Sequence, residues 1–384
     1  MKRKDILSLS SVILSVLFVI SFTSSVGAAP ASSRAKATGG VSPAKKNWQQ
    51  EWDKCIAGAK KEGHVIIASS LGQGVRSSLT EAFTGKYGVE VEFVQGLPTE
   101  LVPKILAERR AGIFSIDLYI AGVGSIDTSL APVGALELID DELLLPEVLD
   151  KKAWWGGDLP WFDPDHHYHL MFLAGLQYAI TINTNLVKSD EIKSYRDLLN
   201  PKWKGKIAWF DPTVGGAGQM AFIGLANLMD IQFLRDFGKQ TPLFTRDVRI
   251  LMEWVARGKY PIGLGIKPEL VTEFIKAGAP VSNNPVAEGT YTSSRGIALV
   301  KNGPNPNAAK LFLNWLASRE GQIVASKAYG MQSAREDIPT DFLDNYEVRK
   351  PGVKYVQVDR ILAERGKKEY YGKIAQELWG HLMK

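Results

Sequence analysis

Cysteine is almost absent: Cys55 is the single one in 384 residues. One thiol closes no intramolecular disulfide and builds no multi-thiolate metal centre. Trp52, Cys55, Ile56 and Ala59 fall at helical spacing, so Cys55 reads as a small core side chain rather than a nucleophile. No serine stands in a nucleophile-elbow pattern with a base to activate it. Long basic runs are missing too. The net charge of +5 includes +2 from Lys2 to Asp5, and a chain shortened by residues 1–29 carries about +3, too little to argue for nucleic acid or an anionic membrane. Gly72-Gln73-Gly74 and Gly122-Val123-Gly124 do not continue into a dinucleotide fingerprint, and no Walker motif occurs.

What the chain does have begins with an export signal. Lys2, Arg3 and Lys4 precede the apolar run Val12–Phe22, which is too short for a confident membrane span. Val26-Gly27-Ala28-Ala29 supplies small residues for cleavage after Ala28 or Ala29. No cysteine stands there to carry a lipid. Pro30 to Pro43 is rich in Ala, Ser, Gly and Pro and reads as a disordered linker. The 45% hydrophobic and 23% charged content is ordinary for a soluble protein, and the length allows two cores.

A helix over 48–61 stops at Gly63. Strand Val65–Ala68, a Ser/Gly turn, a helix through Leu79 and Phe83, strand Val89–Val94, a helix over 101–111 and strand Ile116–Ile120 then alternate. That order predicts an α/β fold with a mostly parallel sheet. Ligands in such sheets bind beyond the carboxyl ends of the strands. The loops Ser69–Gly74 and Gly122–Ser125 are therefore nominated, with Ser69, Ser70, Gln73, Gly122, Val123 and Ser125 as contacts. Each polar one is equally readable as a turn or cap residue. Three of the five histidines fall in Asp163–His169. Neighbouring strand residues point to opposite faces, so this is expected to be a solvent-exposed hairpin rather than a metal site.

The stretch Gln177–Ala217 organises the middle of the chain. Tyr178, Ile180 and Ile182 alternate as a strand, and Ser194–Leu199 is a short helix ended by Asn200-Pro201. Ile207–Phe210 is a second strand, and Asp211–Ala217 is a glycine-rich loop that opens a helix. Asp211 is expected to cap the Thr213–Gly216 turn.

Asn183–Val187, Tyr195–Pro212, Pro285–Thr290, Arg295–Lys301 and Asn305–Gln322 together resemble the periplasmic solute-binding proteins of ABC importers. The likeness is to the two-hinge class, in the branch with ferric-iron, thiamine, polyamine and phosphonate binders. It covers roughly residues 48 to 340. It implies a two-lobed α/β fold with signal peptide 1–29, linker 30–47, first lobe 48–177, hinge and second lobe 178–289, and return to the first lobe over 290–384. It also implies a monomeric periplasmic protein that is not an enzyme, and partners that are a small solute and an inner-membrane permease, without cofactor. Tyr178, Thr213, Gly215, Gly216, Ala217, Lys267, Glu288 and Tyr291 join the first-lobe contacts as expected ligand-binding residues. The iron-binding members place adjacent tyrosines where this chain has Ile266-Lys267-Pro268-Glu269, so hard anionic donors for ferric iron are missing. Hydroxyls, glycine N–H groups, a helix N-terminus and Lys267 suit a small carboxylate or phosphate-type anion, although Lys267 reads equally as a surface lysine. The alternatives are ferric-iron transport, an exported hydrolase using Asp211 and Glu288, or a sensory module. Tyr346–Lys384 is helical in pattern and expected to pack on the first lobe.

Overall fold

Val65 and Ile67 on one face and Ala68 on the other are fully buried, as expected of a strand covered on both faces. They lie in β1 (His64–Ser69), which runs parallel to both β2 (Glu90–Gln95) and β3 (Leu118–Ala121). The computed structural model describes residues 47–383 other than 123, 125, 164–166, 214, 215, 345, 346 and 365. The signal peptide, almost all of the linker, Val123, Ser125, His166 and Gly215 therefore lie outside the described residues.

Helices α1 (Trp48–Glu62), α2 (Gln73–Tyr87) and α3 (Pro98–Arg110) alternate with these strands. Gly63 and Gly88 stop the first two in the left-handed conformation, each donating its N–H to the last helical turn. The first-lobe sheet has the order β11-β10-β3-β1-β2, where β11 is Tyr355–Gln357 and β10 is Thr290–Leu299, and β4 (Leu170–Gln177) also pairs with β10. Its core joins Phe83 to Phe312 at 4.9 Å and to Trp315 at 5.3 Å between ring centroids. Those partners come from α8 (Pro306–Ala317), the helix after the return strand, and α9 (Arg319–Tyr329) follows it.

The second lobe holds β5 (Ile180–Asn183), β6 (Ile207–Phe210), β7 (Leu243–Thr245), β8 (Ile262–Leu264) and β9 (Val281–Asn283), in the order β7-β6-β8-β5-β9. Around it lie α4 (Ala217–Leu228), α5 (Ile231–Gly238), α6 (Val248–Ala256) and α7 (Pro268–Lys276). Two crossings join the lobes. β4 runs into β5 through Tyr178-Ala179, and β9 returns to β10 through Asn284–Gly289. This is the expected α/β architecture with two sheets.

The C-terminal segment departs from expectation. β11 (Tyr355–Gln357) pairs with Thr290–Thr292 of β10. α10 (Val358–Ala363) and α11 (Lys367–Trp379) follow it. Trp379 is fully buried in the second-lobe core, 5.0 Å from the Trp209 ring and 5.2 Å from Phe222, and its N–H donates to the Leu234 carbonyl at 3.1 Å. The expectation that this segment packs on the first lobe is corrected. Its apolar face fits the aromatic second-lobe core, a choice that helical spacing alone does not encode.

The histidine stretch is corrected as well. His169 is fully buried and shares a hydrogen bond with Asp127 at 3.1 Å. The Asp163 carboxylate accepts the backbone N–H groups of Tyr168 and His169. His167 pairs with Asp140 at 2.6 Å and stacks on Trp161. Carboxylate partners from distant segments draw these side chains inward. Among the described residues no group of three His, Cys, Asp or Glu side chains could hold a metal, and no helix is long and apolar enough to cross a membrane.

Candidate functional site

In the first lobe, Ser69 pairs with Ile120 and Gln95, so the loops after β1 and β3 leave from neighbouring strand ends. Ser69 is fully buried, and its Oγ accepts the Leu71 N–H at 3.5 Å. It shapes the loop from inside. Ser70 and Gln73 are exposed, with Gln73 at the first position of α2. Gly122 is half-buried directly after β3.

In the second lobe, β7, β6 and β8 run parallel, so their carboxyl ends share one edge. The start of α4 presses onto that edge. A Cβ at Gly265, whose φ is +76°, would stand 3.0 Å from the Cα of Gly218, and only glycine lets the β8 loop and the α4 N-terminus approach so closely. Gly265 also donates its N–H to the Ala179 carbonyl at 3.3 Å. Tyr178, Gly265–Lys267 and Gly216–Gly218 are thereby gathered beside the first crossing. Gly216 is exposed and Ala217 is buried at the first turn of α4. Lys267 is exposed at the N-cap of α7, and among the described residues it forms no ion pair. Tyr178 is buried at the crossing.

Asp211 caps its own turn, as the sequence suggests. Oδ1 accepts the Thr213 N–H at 2.8 Å and the Thr213 hydroxyl at 2.6 Å, and Oδ2 accepts from Arg246 Nε at 2.9 Å. Burial pushes the carboxyl up, but the Thr213 donors and the Arg246 guanidinium outweigh it and hold it below the usual range. The carboxylate is thus ionised and already neutralised, and Thr213 spends its hydroxyl proton inside the loop.

Two expected contacts point elsewhere. The Tyr291 ring is buried in the second-lobe core, against Gly224, where a Cβ would stand 2.8 Å from it. The Glu288 carboxylate accepts the Ser194 hydroxyl and, at 3.2 Å, the Tyr195 N–H. It holds the second-lobe turn Tyr195–Leu199 rather than a guest.

The structure adds two features that the sequence reading missed. Arg246, directly after β7, belongs to the same edge as Asp211. A cavity of about 410 Å³ opens between the lobes, with Gln177, Pro268, Thr272, Lys276, Tyr329 and Phe342 among its walls. Burial pushes the Tyr329 phenol up to about 12, so it is a neutral wall at physiological pH. Neither feature has a local signal, because the partners meet only through the fold.

Solved structures of other proteins share this fold. A Trichodesmium protein, IdiA (FutA), in complex with iron and citrate superposes with a TM-score of 0.62 at 20% identity, over 83% of this chain and 99% of that one. The periplasmic binding protein AfuA from Actinobacillus pleuropneumoniae, with fructose-6-phosphate bound, gives 0.56 at 20% identity over 83% and 99%. An ABC transporter protein from Clostridium perfringens gives 0.62 at 16% identity over 83% and 100%. Residues 68–323 match the family described as bacterial extracellular solute-binding proteins. That match takes in both crossings and both halves of the site, and the chain belongs to this family of transport proteins.

Proposed function

We propose that the chain captures a small polar anion, of carboxylate or phosphate type, by closure of its two lobes and hands it to an ABC permease. Lys267 carries the reading. It is an exposed cation without an ion-pair partner among the described residues, three residues past β8 and beside the α4 N-terminus. Peptide N–H groups and the helix dipole favour negative charge at such a place. The one acid in the adjoining loop, Asp211, is buried and tied to Thr213 and Arg246, so it presents no free carboxylate to an anion. A solute that touches both lobes only when they are closed shifts the population toward the closed form. The chain acts as a monomer after removal of residues 1–29.

An exported hydrolase using Asp211 and Glu288 is disfavoured, because both carboxylates are tied to their own lobe. Ferric transport would need hard anionic donors where Lys267 stands. Thermal-shift measurements on the mature chain test the reading with phosphate, glycerol 3-phosphate, citrate, succinate, putrescine, glucose and ferric citrate. A ligand at one hundred times its Kd stabilises by about 2.7 kcal/mol. Stabilisation by an anion that is lost in Lys267→Ala is the expected result. Stabilisation by ferric citrate but not by citrate would overturn it in favour of iron.

A further inference from the structure

We propose that Arg246 is a second solute-contacting cation, and that it makes the site selective for doubly charged anions over singly charged ones. The inference rests on the anionic reading above and adds the residue that sets the charge of the solute.

The sheet register fixes where Arg246 stands. Phe210 pairs with Thr245 in the parallel β6·β7 ladder, and the Asp211 N–H donates to the Thr245 carbonyl at 2.8 Å. Asp211 and Arg246 are therefore the first residues past two adjacent parallel strands, on the carboxyl edge where open α/β sheets take their ligands. β8 lies on the other side of β6, and its loop carries Lys267. Arg246 and Lys267 thus flank the start of α4, with two strand spacings, about 10 Å, between the strands they follow. Two long cationic side chains set that far apart can converge on one phosphate or reach the two ends of a dicarboxylate.

The hydrogen bonding fixes how Arg246 is presented. It meets Asp211 through Nε at 2.9 Å, and its side chain is 74% exposed against 5% for Asp211. A guanidinium has five N–H donors, and a bond through Nε leaves the fork of the two Nη groups for a guest. Asp211 does not depend on Arg246 for partners, since Thr213 already supplies two donors to its other oxygen. A bond between an exposed arginine and an already satisfied carboxylate adds little to stability. What it does is aim the guanidinium: Asp211 is the positioning residue and Arg246 the contact.

Isothermal titration of the wild type, Arg246→Gln, Arg246→Lys and Lys267→Gln with glycerol 3-phosphate, succinate and acetate tests the proposal. The wild type should bind at least one of the dianions more tightly than acetate. Arg246→Gln should weaken that dianion by about tenfold, the scale of one charge-assisted hydrogen bond, while acetate changes much less. Arg246→Lys keeps the charge without the fork and should fall between. Thermal unfolding of the free variants should match the wild type, which separates contact from folding. Dianion affinity in Arg246→Gln within twofold of wild type would overturn the role of Arg246 and leave the anionic reading standing. Failure of the wild type to bind any of the three anions would overturn the anionic reading and this one with it.

Discussion

Asp359 accepts the backbone N–H of Ser294 at 2.6 Å, on the β10 edge opposite β4, in a stretch that neither β3 nor β11 covers. β4 lines one edge of β10, while β3 takes Gly296–Leu299 and β11 takes Thr290–Thr292 on the other. Residues 293–295 lie between. The carboxylate closes that gap in the middle of β10, the strand that carries the chain on from the return crossing into the first-lobe sheet.

The Asp359 carboxyl is pushed up to about 6, chiefly by burial, against the opposing pull of the Ser294 N–H, Arg295 and His169. Its folded value lies above its ordinary one, so the folded protein holds the proton more tightly than the unfolded chain does. Its contribution to stability is therefore greatest at low pH and falls as pH rises from about 4 to about 6. Two units correspond to roughly 3 kcal/mol at most. Asp359→Asn keeps an acceptor for Ser294 without the charge. It should be more stable than wild type at pH 7.5, with the gain disappearing toward pH 4, as read by urea unfolding across that range. A variant less stable than wild type at pH 7.5 would mean the carboxylate is held by a charge partner that outweighs its burial.

Trp379→Ala should cost about 3–5 kcal/mol, as for other large core truncations. The indole is fully buried among Trp209, Phe222, Phe237 and Phe244. Chemical unfolding should show the loss in the second-lobe transition. Proteolysis should cut α11 before it cuts the first lobe.

Gly296→Ala is expected to destabilise by about 1–3 kcal/mol through overpacking. A Cβ there would stand 1.9 Å from His169 Nε2, and the ring has to move away from Asp127. Asp127 lies in the helical turn Ile126–Leu130, which follows the loop after β3. The variant should therefore lose solute affinity as well as stability, measurable by titration at a temperature where it is still folded.

Glu288→Ala separates a structural carboxylate from a catalytic or ligating one. Loss of the acceptor for Ser194 and the Tyr195 amide should lower stability by about 1–3 kcal/mol. The Kd of the folded fraction for a bound anion should not change. A tenfold loss of affinity with unchanged unfolding would return Glu288 to the cleft.

Much of the fold is legible because β1 and β3 are short, mostly apolar runs that lead into Ser/Gly turns, and α1 and α2 stop at glycines. The second-lobe loops were found by the same logic. β4 was not, since Leu170–Gln177 is buried on both faces and shows no alternation. The remaining misses are pairings between distant segments. Arg246 meets Asp211 across 35 residues, His169 meets Asp127 across 42, and Glu288 meets Ser194 across 94. Spacing along a chain carries no information about such partners. The α11 stripe, for its part, declared that it would be buried without declaring against which lobe.

The docking of α11 has a bearing on how the protein comes to be folded at all. Trp209 and Trp379, ring to ring in the second-lobe core, are separated by almost half of the chain, and the whole return of the first lobe is threaded between them. Contacts of such long sequence separation form late, because the entropy of closing the intervening loop is lost before they reward it. During export the chain emerges from its amino end, so the first-lobe strands β1–β3 can pair while the second lobe still lacks the helix that seals its aromatic core. The second lobe is built from the middle of the sequence, yet it is among the last parts to become complete.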